Sequence, residues 1–308
     1  MLSTRSPGRG LMQRKMRVVV TAGILAGVAC FSTGTVAASA RVIGMGGPGL
    51  PASAPALTGA DISYPECGSP LPFGQAFAVV GVNGGRANTP NPCLGVELGW
   101  AAAQTSGGGS SGYEPRASLY LNTGDPGSTY LGQAVPDWPN SGVSPFGACL
   151  PAFTVGRLGG PGQDSPGCAF VYGYLKTEQD LVWLEAAALR EHLPATPASY
   201  PFWLDVELSN SWEDSTLMNS ADLEAMVYVL ERAGVSQLGV YALPSQWVTI
   251  TGGATTYGSS SLNSLSDWLM GAPSAADARA ACAKPGFTEG RVLLTQFPQS
   301  WFDGDFAC

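Results

Sequence analysis

The chain of 308 residues carries 15 basic and 23 acidic side chains, one histidine and seven cysteines. Five of the bases lie within the first 17 residues, so from Arg41 onward ten bases face 23 acids, a net charge near −13. That balance argues against nucleic acid and anionic membrane as partners, and a lone His192 nearly excludes Ser-His, Cys-His and histidine-zinc chemistry.

Arg5, Arg9, Arg14, Lys15 and Arg17 precede an apolar stretch from Val18 to Phe31 and then Ala38-Ser39-Ala40, the pattern of a secretory signal peptide over residues 1–40. Its apolar core is shorter than the roughly 20 residues that a spanning helix needs, so an exported chain with no membrane insertion is expected. Residues 41–57, rich in Pro, Ala, Gly and Ser, read as a disordered lead, and 58–308 as one domain. Cys67, Cys93, Cys149, Cys168, Cys282 and Cys308 remain beyond the leader, an even number that suits disulfides in an exported protein. Six cysteines permit 15 connectivities. Sequential pairing, 67 with 93, 149 with 168 and 282 with 308, is expected because each pair closes a modest loop. Scattered singly, they make a poor metal site, and neither metal nor cofactor is implied.

Short apolar runs recur at Gly59–Ser63, Ala76–Asn83, Ala117–Asn122, Ala169–Tyr174, Tyr200–Glu207, Gln237–Ala242, Asp267–Gly271 and Arg291–Gln296. Eight such runs predict an α/β fold, a parallel (β/α) TIM-type barrel, irregular, with fewer helices than strands and stapled by disulfides. Val182, Ala186, Leu189 and Leu193 predict one amphipathic helix. Leu223, Met226 and Leu230 predict another, capped at Asn219 or Ser220 and stopped at Gly234. Thr123 to Cys168 is too long for a simple loop and too rich in Gly and Pro for a helix. It reads as an excursion at the barrel rim, stapled by Cys149–Cys168, with Trp138 packed over one mouth.

The run Phe202-Trp-Leu-Asp-Val-Glu207 places Asp205 and Glu207 two residues apart on one strand face, roughly 6–7 Å between side-chain roots. Alternation turns Trp203, Asp205 and Glu207 into the barrel and Phe202, Leu204 and Val206 toward helices. Two carboxylates at the end of an apolar strand are costly to bury without partners, and acid/base work on a sugar bond is a good reason to keep them. A structural pair clamped by arginine or backbone donors is the competing reading. Asp61 ends the first strand and Asp303 and Asp305 follow the last, so a closed barrel brings all three to one rim. For Asp61, Asp303 and Asp305 the alternative is ordinary turn chemistry. Trp212 is the favoured sugar-stacking ring among Tyr64, Trp138, Trp212, Trp247 and Trp301. Asn83, at the end of the second strand, is placed either to bind a hydroxyl or to cap a turn.

These elements resemble glycoside hydrolase family 25, the lysozyme-type muramidases, and more closely the secreted actinobacterial proteins with a related glycoside-hydrolase-like barrel. The likeness rests on Gly59-Ala-Asp61-Ile-Ser63, Ala78-Val-Val-Gly-Val-Asn83, Leu204-Asp205-Val-Glu207, Gly239-Val-Tyr241, Trp268, and Thr295-Gln-Phe297 with the terminal aspartates, and covers roughly Thr58 to Asp305. It implies Glu207 as proton donor, Asp205 assisting the acetamido group of the sugar with net retention, and Asp61 with Asp303 or Asp305 completing the site. It further implies action on peptidoglycan or a related N-acetylated polysaccharide, and with the leader a monomer outside the cell or at the wall is expected. Three features depart from the family pattern: Tyr120-Leu-Asn122 replaces an aromatic-His-Phe element, Thr295-Gln-Phe297 replaces Trp-Gln-Tyr, and the Cys149–Cys168 excursion is extra. A catalytically silent sugar-binding or structural envelope protein on the same barrel is the alternative these departures favour.

Overall fold

In the computed structural model, residues 58–87, 89–104, 117–153, 160–253 and 260–308 are described. The expected leader and disordered lead, and the glycine run from Gly107 to Gly112, lie outside them. Among the described residues no helix is long and apolar enough to cross a membrane.

Eight of the twelve strands among the described residues close a barrel in the order β1 (Thr58–Ile62), β12 (Asp303–Ala307), β11 (Val292–Pro298), β10 (Ser266–Leu269), β9 (Leu238–Ala242), β8 (Phe202–Asp205), β3 (Ala117–Asn122), β2 (Ala78–Gly81). Seven run parallel, and β12 is antiparallel to both of its neighbours. Among the described residues five α-helices follow β2, β3, β8, β9 and β10: α1 (Leu94–Ala102), α2 (Pro166–Arg190), α3 (Thr216–Arg232), α4 (Pro244–Thr251) and α5 (Ala275–Ala281). The irregular α/β barrel with fewer helices than strands is therefore present.

Two expected elements are corrected. Ala169–Tyr174 opens α2 and is no strand: Ser165 caps the helix, its Oγ accepting from Cys168 N at 3.3 Å, and Pro166 starts the first turn. A short apolar run cannot by itself distinguish a buried strand from a buried helical segment. The eighth strand is instead β12, which turns back from β11 and inserts beside β1. Asp-Gly-Asp reads locally as a turn, yet its residues pair with strands on both sides.

The α2 stripe also differs from expectation. Val182 and Leu189 are exposed, whereas Leu184, Ala187 and Ala188 face the barrel. On α3 the expected Leu223, Met226 and Leu230 are buried, but the cap is Ser215, which accepts from Met218 N. Gly234 ends the helix region with φ +86°, a conformation glycine adopts without cost.

Phe202, Leu204 and Val206 join the apolar layer between barrel and helices, while Trp203 packs inside with Phe77, Val79, Tyr241, Trp268 and Leu294. The interior is thus a filled floor of aromatic side chains. Gly239 makes room for it, since a Cβ there would strike the Trp203 ring. The three disulfides join Cys67 to Cys93, Cys149 to Cys168 and Cys282 to Cys308, the sequential pattern. The excursion after β3 holds two small hairpins, β4–β5 (Thr129–Tyr130, Gln133–Ala134) and β6–β7 (Gly142–Ser144, Gly147–Cys149). Trp138 does not cover the mouth: it packs on Tyr172 of α2, ring centroids 5.2 Å apart, and its Nε1 donates to Gln163 O.

Candidate active site

The parallel strands deliver their last residues to one rim. Because β12 runs the other way, its first residue, Asp303, reaches that rim and pairs in register with Asp61, while Asp305 lies two residues deeper. Asp205 ends β8, and Glu207 follows where the chain leaves the strand. Asp61, Asp205, Glu207 and Asp303 line one cavity of about 160 Å³, together with Tyr120, Asn122, Tyr241, Trp268 and Gln296.

Each acid is held differently. Asp205 is buried, with no guanidinium or ammonium beside it: among the described residues the ion pair is Lys176–Asp137. With the Asn122 amide oriented to satisfy its neighbours, Nδ2 donates to Asp205 Oδ2 at 2.8 Å and Oδ1 accepts from Gly85 N at 3.3 Å. Asp205 Oδ1 has no protein partner. Glu207 is half-buried, and its backbone is fixed by neighbours: Trp212 Nε1 donates to Glu207 O at 2.8 Å and Val206 N to Tyr241 O at 2.9 Å. Gln296 Nε2 donates to Asp61 Oδ2 at 3.2 Å and accepts on Oε1 from the Tyr241 hydroxyl at 2.7 Å. Asp305 is fully buried below, with Trp268 Nε1 donating to its Oδ1 at 2.8 Å.

The electrostatics follow from burial and from acids facing acids. Burial, then Asp303, pushes Asp61 up to about 7, opposed by the hydrogen bonds from Gln296 and Asp305. Asp305 rises well above the carboxylate range through burial and the Asp61 charge. Glu207 is raised by burial and by Asp303. Asp205 is raised well above its ordinary value by burial, then by Glu207 and Asp61. Burial and neighbouring acids thus push Asp61, Asp205, Glu207 and Asp305 toward their neutral forms.

Two expected residues sit elsewhere. Asn83 is fully buried behind the rim, donating to Asn122 O at 3.0 Å and Asp180 Oδ2 at 3.2 Å and accepting from Asn122 N at 2.8 Å. It positions Asn122 and does not line the cavity. Trp212 leans on the apolar layer outside the barrel and acts on Glu207 through the backbone. Trp247 is buried in that layer, and Tyr64 and Trp301 are exposed away from the cavity lining. Sequence reasoning passed over Tyr120, Asn122, Tyr241 and Gln296 as site residues. Their signals were the position at a strand's end and, for Tyr241 and Gln296, membership of the motifs that carry the family resemblance.

The chain matches no protein-family model and no curated protein. Solved structures with a similar course include the modular autolysin LytC of Streptococcus pneumoniae, in complex with a synthetic peptidoglycan ligand, at 11% identity and a TM-score of 0.45 over 80% of this chain and 46% of that one. The spore cortex lytic enzyme SleM of Clostridium perfringens gives 11% and 0.48 over 82% and 67%. A lysozyme of Streptomyces coelicolor gives 10% and 0.42 over 82% and 92%. The chain thus spans about half the length of the autolysin.

Proposed function

We propose that this protein is a secreted or wall-associated glycoside hydrolase, acting as a monomer on β-glycosidic bonds of peptidoglycan or a related N-acetylated polysaccharide. The observation that carries the reading is the accessible cavity lined by Asp205 and Glu207, with no cation clamping either acid. The family resemblance of the Asp61, Asp205–Glu207 and terminal-aspartate motifs supports it independently.

Glu207, on the outer side of the pair and raised by its surroundings, keeps a proton at higher pH than an exposed glutamate and donates it to the leaving oxygen. The Asp205 carboxyl borders the cavity, and its buried Oδ1 has no protein partner. An acetamido N–H donating there favours the ionised form, leaving Asp205 charged and Glu207 protonated. The ionised Asp205 then steadies the acetamido group as its oxygen attacks the anomeric carbon, and water opens the cyclic intermediate with retention. Asp61 and Asp303, which line the same cavity, face the positive charge that develops on the sugar.

The test is reducing-end release from peptidoglycan and chitin-like polymers by purified protein. Glu207→Gln is expected to lower the rate by about 10²–10⁴-fold. No release by the wild type, with Glu207→Gln indistinguishable from it, overturns the reading. Glycan binding of equal strength in wild type, Glu207→Gln and Asp205→Asn, without turnover, favours the silent sugar-binding alternative.

A further inference from the structure

A second hollow, larger than the first at about 270 Å³, opens on the same rim between the loops after β2, β3 and β8 and the β4–β5 hairpin. The two share a wall. Asp205 lines the acid cavity with its carboxyl, while its carbonyl oxygen accepts from Thr123 Oγ1 at 2.6 Å and Asn210 Nδ2 at 3.1 Å, and both of those residues line the second hollow. Gly85, also in the second hollow, holds Asn122, which holds Asp205 Oδ2. Asp205 thus belongs to the acid cavity by its carboxyl and is held through its carbonyl by residues of the second hollow.

The chemistry of the second lining differs from that of the first. Hydroxyls and amides of Ser209, Asn210 and Gln133 alternate with the Tyr130 ring, which is 38% exposed. One charged side chain is present, Arg86, and it is exposed. No carboxylate of the described residues lies within 4.0 Å of it, in a chain with 23 acids to 15 bases. A guanidinium left unpaired among so many acids is suited to an outside anion, which it grips with paired N–H donors. The acids of the neighbouring cavity oppose such a ligand less than their number suggests, since Asp61, Asp205, Glu207, Asp303 and Asp305 are all raised toward their neutral forms.

We propose that the second hollow binds an acidic sugar unit of the substrate, its ring against Tyr130, its hydroxyls toward Ser209, Asn210 and Gln133, and its anionic group on Arg86. This rests on the glycan-hydrolase reading for the identity of the polymer and adds that the polymer is acidic. The hollow is built in part by the excursion that departs from the muramidase pattern.

The test is an amide chemical-shift titration of the purified protein with D-glucuronate, D-glucose 6-phosphate and D-glucose, repeated on Arg86→Gln and on Glu207→Gln. An acidic probe is expected to move the amides of Gly85 and Ser209 to Ser211 at lower concentration than glucose does. Arg86→Gln is expected to weaken that binding about tenfold. Which acidic probe binds better separates a carboxylate-bearing sugar from a phosphate-bearing one. Glucose binding as tightly as both acidic probes, or Arg86→Gln binding them unchanged, overturns the proposal. Because Glu207→Gln binds without needing to cleave, acid-selective binding with no turnover sinks only the hydrolase reading, and turnover without acid-selective binding sinks only this one.

Discussion

Asp125 is an acid whose replacement is expected to strengthen the fold. It is fully buried after β3, accepts from Gly127 N at 3.2 Å on Oδ1, and has no partner for Oδ2. Glu213 and Asp164 face it, and its charge in turn raises the buried Asp222, both of whose oxygens lack partners. Burial above all pushes Asp125 from 3.8 up to about 8. A carboxyl raised in the folded state binds its proton more tightly there than when unfolded. Its contribution to stability is therefore complete below pH 3.8 and is lost as pH rises toward about 8. At pH 7 that is about three pH units at about 1.4 kcal/mol each, or up to about 4 kcal/mol. Asp125→Asn keeps the acceptor for Gly127 and puts an N–H donor where the unpartnered Oδ2 was, near acids and without a charge of its own. The variant is expected to be more stable than wild type at pH 7 by as much as about 4 kcal/mol and to match it near pH 4. Urea unfolding at pH 4, 5.5 and 7 measures this. A variant no more stable at pH 7, with wild-type stability rising from pH 4 to 7, refutes the reasoning.

Two further predictions concern the site and the excursion. The alkaline limb of kcat should fall as pH rises through the raised pKa of Glu207, and Asp303→Asn, by removing a negative neighbour, should move that limb to lower pH. An unmoved or upward-shifted limb in the pH–rate profile contradicts the assignment. Cys149→Ser with Cys168→Ser opens a loop of sequence separation 19 and should cost about 3 kcal/mol in denaturant unfolding. A loss below about 1 kcal/mol would show that the excursion is held by Trp138, Tyr172 and their neighbours alone.

The sequence made most of the barrel legible because buried strands read as continuous apolar runs, Ala78–Gly81 and Phe202–Asp205 above all. Ala169–Tyr174 misled for the same reason, being equally apolar but buried in a helix against α3. β12 escaped notice because Asp-Gly-Asp is turn chemistry wherever no partner strand is known, and its partners lie on both sides of it in space. The acids were legible from residue type and spacing. Asn122, Tyr241 and Gln296 were not, since each is a polar residue at the end of a different strand and only closure of the barrel brings them together. The misjudged α2 face has a similar origin: Asp180 and Thr177 lie buried beside Leu184 on the face opposite the expected stripe, so polar residues disguised the buried side. Asn83 was recognised as a rim residue, but its place behind Asn122 follows from the β2–β3 register.

The most direct test of the hydrolase account is a crystal of Glu207→Gln soaked with an N-acetylated oligosaccharide. The account predicts a sugar in the cavity between Asp61 and Asp205, its acetamido nitrogen within hydrogen-bond reach of Asp205 Oδ1 and its leaving oxygen beside residue 207. Electron density for the sugar only elsewhere on the surface, with the cavity holding solvent at saturating ligand, contradicts it.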